Sequence, residues 1–349
     1  MAPGYAARDL CGHILFTLEF STNGDNRFVP VHQRYLKVFL ILNTLTALEK
    51  MSIISQPVAS VDFLILGAGW TAGYLIPLLK SMEISYAATT TTGRDGTYKF
   101  KFEYDPNTNN QASNIDLKPY AQLPYAKTIL ITFPIAGELS SLWLINTYND
   151  LHREMTSLET LWVQLGSTNI YNDVEAQELW ISRKSCFDSI NPRAMAEVNL
   201  LRAGGCVLNL AGLWGGQRIP MNWLPRVAST KQELGKLKSL HLIHGKDVAR
   251  AIVAVHQNPH LATSQRYLIT DLIIHDWWEI ALGLGALSLN HPDIQERNET
   301  YAKWINGLMQ EQNVKALPRT PEQLSRCLDS SDFWFTFRLM PRNIYINIK

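Results

Sequence analysis

Apolar residues in this chain fall in short runs separated by longer mixed stretches. From residue 61 onward, β-rich runs occur at 62–67, 84–92, 99–103, 127–133, 161–166, 205–211 and 266–270. Mixed stretches of helical length separate most of them, at 71–82, 137–157, 191–203, 244–257 and 275–287. Alternation of this kind predicts an α/β fold, a doubly wound parallel sheet with helices on both faces. The segment "TTTTGRDGTYKFKFEYD" is too compact for a full crossover helix. It reads as hairpin-like, with the crossover helix there shortened or lost. After residue 290 the pattern turns helical, with "ETYAKWINGLMQEQNV", a Pro-rich turn "ALPRTPEQL" and an aromatic tail "DFWFTF". A small, mainly helical C-terminal lobe is expected there, packed over the carboxyl ends of the strands.

The first 50 residues follow none of this. "YLKVFLILNTLTALEK" holds an apolar run, but Asn43, Thr44 and Thr46 interrupt it. It falls short of the roughly 20 residues of a membrane helix, and it lies too far in, without the small-residue cleavage pattern, for a simple signal peptide. Residues 1–50 are expected to be poorly folded or absent from the natural product, with Met51 opening the conventional segment. The expected organisation is an extension at 1–60, a nucleotide-binding domain at 61–265, and a strand plus helical lobe at 266–349.

Composition narrows the function. The chain has 349 residues, 46% of them hydrophobic, which suffices for one large or two modest domains. Thirty-two basic residues balance 31 acidic ones, for a net charge of +1. That balance gives no electrostatic footprint for nucleic acid or an anionic membrane, so any anion site must be local. Four cysteines, Cys11, Cys186, Cys206 and Cys327, form no CxxC pair. Scattered thiols and a reducing, cytoplasmic location are expected rather than a disulfide framework or structural zinc. The expected partner is a small-molecule substrate, with no nucleic acid and no membrane, and the chain a monomer or homodimer.

The most specific stretch is "FLILGAGWTAGYLIPLL". Gly67, Gly69 and Ala72 fit G-x-G-x-x-G/A between a strand and a helix, the setting in which a dinucleotide is gripped. The first glycine permits a tight turn, the second lets the backbone approach a pyrophosphate, and the small third residue lets helix and strand pack closely. The helix N-terminus then aims free N–H groups, including those of Trp70 and Thr71, at the phosphates. An acid about 20 residues on would hold the ribose hydroxyls of NAD. Instead, the second strand runs into "TTTTGRDG", with Thr92 and Arg94 at its end. A guanidinium suits a 2′-phosphate, so NADP is favoured over NAD. If Asp95 faced the ribose in place of Arg94, the preference would reverse. Asp105, Phe133, Ser167, Gly212 and Leu213 complete the residues expected along the cofactor.

The fifth run, "LWVQLGSTNIYND", ends in Ser167 and Thr168 with Tyr171 beyond. Here the chain resembles the extended short-chain dehydrogenase/reductase family, the NAD-dependent epimerase/dehydratase-like proteins of Rossmann-like fold. "CVLNLAGLWGGQRIP" is similar to that family's sixth strand and following turn, and "LHLIHGKDVARAIVAV" to its I-H-V-D-D-V-A segment. The resemblance runs from about residue 62 to 275, in the same order. It implies a Tyr-x-x-x-Lys pair about 25 residues after Ser167. Arg193 and Glu197 stand there instead, in "INPRAMAEVNLL". Arginine is a poor general acid, and a carboxylate would raise a nearby phenol's pKa. At (i, i+4) the two are spaced to pair on one helix. The chain therefore resembles the atypical branch that keeps the cofactor fold without the usual pair.

Two functions stay open. One is an NADP-dependent reductase or epimerase-like enzyme, with Thr168 polarising the reacting oxygen and Tyr171 donating the proton. The other is a non-catalytic NADP(H) sensor or scaffold. The resemblance also implies that Arg218 meets a substrate anion. Trp214 and Trp70 lie in the two turns expected to face the cofactor. His241 and His244 sit on an extended run that turns them to opposite faces, so no metal is expected. Asp247 is expected to cap the helix that follows. Trp277 and Trp278 are expected to pack between the sheet and the C-terminal lobe.

Overall fold

The computed structural model describes residues 60–104, 116–153, 160–172, 178–285 and 292–345. The expectation for the N-terminal extension lies outside them. Seven strands form one parallel sheet: β1 (Ser60–Leu66), β2 (Tyr86–Thr90), β3 (Tyr98–Lys99), β4 (Tyr125–Ile131), β5 (Leu161–Ser167), β6 (Cys206–Leu210) and β7 (Arg266–Ile269). Their spatial order is β3-β2-β1-β4-β5-β6-β7. The order reverses between β1 and β4, and at such a switch point a crevice opens beyond the carboxyl ends of the strands. All seven overlap runs expected from hydrophobic patterning, β3 by Lys99 alone.

β1 shows why a parallel strand reads as one apolar run. Phe63 and Ile65 face one side, packed against Leu75 and Leu79 of α1 (Ala72–Ser81) and against Val248 and Ile252 of α4 (Gly245–Gln257). Leu64 and Leu66 face the other side, which is covered by Leu144 of α2 (Ser140–Leu151) and by Ala196 and Leu200 of α3 (Pro192–Arg202). A strand buried on both faces needs apolar residues at every position. Burying each such side chain stabilises the fold by about 1.5–3 kcal/mol.

The crossover between β2 and β3 has shrunk to a turn at Arg94–Gly96, as its length required. The hairpin expectation is corrected, because β2 and β3 run parallel, with Thr89 opposite Tyr98. Gly93, Asp95 and Gly96 all take left-handed φ angles, which turn the chain back within a few residues.

The C-terminal part divides in two. α5 (Trp277–Gly285) and α6 (Pro292–Glu311) build their own core with Leu234, Trp278, Tyr301, Ile305 and Leu308. The two tryptophans belong to this lobe core rather than to a seam with the sheet. Asp276 receives two hydrogen bonds from the Arg319 guanidinium, at 2.7 and 3.0 Å, and that guanidinium lies 3.9 Å above the Trp278 ring. The aromatic tail does not join the lobe. Phe333, Trp334 and Phe337 return to the sheet and pack with Tyr267 of β7. Cys206 and Cys327 are buried free thiols. Among the described residues no helix is long and apolar enough to cross a membrane.

Candidate functional site

The glycine turn leaves the carboxyl end of β1, beside the switch point. Gly67 has φ +96°, and a side chain there would put its Cβ 2.6 Å from Thr132 Oγ1. Its amide donates to Thr89 Oγ1 at 2.9 Å, and its carbonyl accepts from Thr132 Oγ1 at 2.6 Å. Gly67 is therefore required by the fold itself. Gly69 and Gly73 differ, since a Cβ on either would meet no atom within 4 Å. Neither needs to be glycine for internal packing. The space they leave open lies where α1 begins. Thr71 starts the helix without a side-chain cap, and the first turn carries no acid. Trp70 precedes the N-cap Thr71, and Ala72 is the first helical residue; among the described residues the amides of these three donate to no backbone acceptor. Open space over two glycines, uncapped amides and an absence of carboxylate together fit a dinucleotide diphosphate.

The residues expected further along the cofactor are dispersed. Thr92 and Arg94 are exposed beyond β2, and Arg94 stands 3.8 Å from Asp95, with both side chains largely in solvent. An exposed pair of this kind is weak, so neither side chain is committed to the other. Phe133 follows β4, flanks the Gly67 turn and stacks on Phe102 with centroids 5.8 Å apart. Gly212 and Leu213 lie in the short strand Gly212–Trp214, and the Gly212 amide donates to the His241 carbonyl at 2.9 Å. Asp105 lies outside the described residues.

At the end of β5, Ser167 caps the next turn by accepting from the Asn169 amide at 3.2 Å. Thr168 is buried, and its carbonyl accepts from Arg326 Nη2 at 2.9 Å. Tyr171 is fully buried beside Ile170, Ile181 and Ala194. Burial pushes its phenol up to about 12, against the opposing pull of Arg266. A phenol enclosed in this way walls the site, and its placement does not match that of a proton donor in an open crevice.

Glu197 occupies the centre. Its carboxylate is fully buried, accepts twice from Asn209 Nδ2 at 2.9 and 3.0 Å, and pairs with Arg266 Nη2 at 3.2 Å. Burial raises its pKa, while Arg266 and Asn209 hold it down. The expected helix pairing with Arg193 is corrected, because the ion partner comes from β7. A Cβ on Gly166 would collide with both Glu197 and Asn209, so β5 carries glycine where this group approaches. Where the resembled family places a tyrosine and a lysine, this chain has a sealed carboxylate–guanidinium–amide group. No sequence spacing signals Arg266 or Asn209 as its members; they meet Glu197 only because β6 and β7 are adjacent strands.

On the other side of the glycine turn the rings form a chain. Trp70 packs edge-on to Tyr74, with centroids 4.9 Å apart. Tyr74 lies 5.5 Å from His244, His244 4.6 Å from Trp214, and Trp214 5.1 Å from Tyr345. Arg218 places its guanidinium 4.3 Å above Trp70. His244, not Asp247, caps α4, its Nδ1 accepting from the Lys246 amide at 3.1 Å. Asp247 instead accepts from the amides of Arg342 and Asn343 and fixes the C-terminal segment beside Trp214. His241 is buried elsewhere, its Nε2 accepting from the Leu328 amide at 3.2 Å.

The strand order and the glycine turn at its switch point decide the architecture. The fold is Rossmann-type. No family model matches the chain, and no curated protein matches it. Solved structures of similar fold include Gre2 in complex with NADPH from Candida albicans (13% identity, TM-score 0.49, 81% of this chain and 95% of that one). Another is a UDP-N-acetylglucosamine 4-epimerase from Bacillus cereus (13%, 0.48, 81% and 94%). A third is a UDP-glucose 4-epimerase from Thermotoga maritima (9%, 0.46, 80% and 94%). These likenesses are of fold.

Proposed function

We propose that this Rossmann-type protein binds NADP(H) at the Gly67–Gly73 turn and acts as an oxidoreductase or epimerase-like enzyme on a small oxygenated substrate. One observation carries the binding: the uncapped first turn of α1 opens onto empty space above Gly69 and Gly73. The nicotinamide, when bound, supplies the hydride chemistry. The chain's own residues supply the rest. The amides of Trp70, Thr71 and Ala72 hold the diphosphate, and Thr168 stands at the strand end where a substrate oxygen would be oriented. NADP is preferred over NAD through Arg94, and this resemblance to the extended short-chain dehydrogenase/reductases extends to the atypical branch.

The sealed Glu197–Arg266 pair favours a second reading, a non-catalytic NADP(H) sensor or scaffold. A carboxylate that is fully buried and bonded to arginine and asparagine is turned away from the crevice, where a substrate proton would have to be exchanged. Titration with NADPH and NADH, followed by NADPH consumption against a panel of carbonyl compounds, tests both. Binding with turnover supports the enzyme. Tight binding without turnover, unchanged in Tyr171→Phe, supports the sensor. Arg94→Ala weakens NADPH far more than NADH if the 2′-phosphate is read there, and equal weakening removes that assignment.

A further inference from the structure

Arg218 stacks on the residue that opens the phosphate turn, and no sequence rule places it there. It leaves a tight reversal, Trp214–Arg218, in which Gly215 and Arg218 exchange backbone hydrogen bonds at 2.9 and 3.1 Å. Gly215 and Gly216 take φ +116° and +58°, which aim the following residues back toward α1. The reversal is fitted to that helix. A Cβ on Gly215 would strike His244 and Tyr74, and one on Gly245 would strike Tyr74 and Trp70. Trp70 is thus held from two sides, with the guanidinium over its ring.

The charges converge. Residues 67–79 contain no acid, and neither do residues 212–221. Trp70 immediately precedes the N-cap of α1, so a guanidinium above its ring stands within a side chain's length of any diphosphate held at that helix start. Stacking on an indole fixes the plane of the guanidinium while leaving its N–H edge directed outward. An edge held in this way suits two oxygens of one phosphate.

We infer that Arg218, oriented by Trp70, binds the diphosphate of the dinucleotide itself rather than an anion on the substrate. The inference rests on the proposed dinucleotide function. It makes Arg218 blind to the 2′-phosphate, because the diphosphate is common to NADPH and NADH, whereas Arg94 distinguishes the two.

Calorimetric titration of the full chain with NADPH, NADH and 2′-AMP tests it. Arg218→Ala is expected to weaken both dinucleotides by the same factor, about tenfold to a hundredfold, as for loss of a hydrogen bond to a charged group. 2′-AMP, which has no diphosphate, is expected to be unaffected. Arg218→Lys keeps the charge but not the planar edge, and is expected to recover only part of the loss. Trp70→Ala is expected to reproduce the Arg218→Ala loss. Dinucleotide affinity unchanged in Arg218→Ala, or a loss confined to NADPH, overturns the inference. Failure of the unaltered protein to bind either dinucleotide would instead strike the function on which it rests. Arg218 is exposed, so an unchanged thermal midpoint will separate lost binding from lost folding.

Discussion

Glu197 and Arg266 form a buried ion pair, 3.2 Å between Oε2 and Nη2, beneath the end of the strand that carries Ser167 and Thr168. Removing one partner of such a pair leaves an uncompensated charge in the interior and costs about 3–5 kcal/mol. Glu197→Leu and Arg266→Met are each expected to lower stability by that amount in denaturant unfolding. The double variant Glu197→Leu/Arg266→Met is expected to recover most of it. Additive losses in the double variant would show that the two side chains do not act as a pair.

The same carboxylate sets a pH dependence. Burial raises the folded pKa of Glu197 above the unfolded value, so the folded state binds the proton more readily. Its contribution is present in full below the ordinary carboxylate range and is lost as pH rises through the raised value. Glu197→Gln, which keeps the shape, is expected to flatten that decline. An unchanged pH profile in Glu197→Gln would place the titration elsewhere.

His241 acts with the opposite sign. Burial lowers its pKa from 6.5 to about 4, because the enclosed ring loses the solvent that would stabilise its charge, against the opposing hydrogen bond to the Arg326 carbonyl. The unfolded chain therefore takes up a proton that the folded chain refuses. Stability is expected to fall by roughly 3 kcal/mol as pH drops from 6.5 to about 4. Ring-proton NMR of His241 checks this directly, and a midpoint near the ordinary histidine value would contradict it.

Asp247 fixes the C-terminal segment. Its carboxylate accepts from the Arg342 and Asn343 amides, from Asn343 Nδ2 and from Arg250 Nη1. Asp247→Ala is expected to cost about 2–3 kcal/mol, as for loss of hydrogen bonds to a charged group. Hydrogen exchange at residues 342 and 343 is expected to accelerate beyond that of the sheet. Exchange unchanged at both amides would mean that other contacts hold the segment.

The sequence made the sheet legible because a strand buried on both faces leaves an uninterrupted apolar run, as in "DFLIL" of β1. The glycine turn was legible for a related reason: backbone that needs φ > 0, or that must stay open, tolerates little besides glycine. The direction of β3 was not legible, because two extended segments seven residues apart can pair either way and the left-handed residues decide. The replacement of the catalytic pair could be read from Arg193 and Glu197, but what Glu197 does could not. Arg266 and Asn209 lie on strands brought together by topology, and nothing local marks them. Nor did any local pattern mark the stack of Arg218 on Trp70, which depends on glycines in two other elements.

On the proposed function, the turn after β1 has two parts: Gly67 serves packing, and the space over Gly69 serves a diphosphate. Gly67→Ala and Gly69→Ala separate the two uses. Gly67→Ala meets Thr132 and a left-handed φ, so it should destabilise the fold. Gly69→Ala meets nothing in the protein, so its thermal midpoint should match that of the unaltered chain. The most direct measurement is calorimetric titration of the unaltered chain and of Gly69→Ala with NADPH and NADH. The unaltered chain is expected to bind, and Gly69→Ala to bind at least about tenfold more weakly at equal stability. Equal affinity in the two proteins, or no heat from either coenzyme with the unaltered chain, would contradict it.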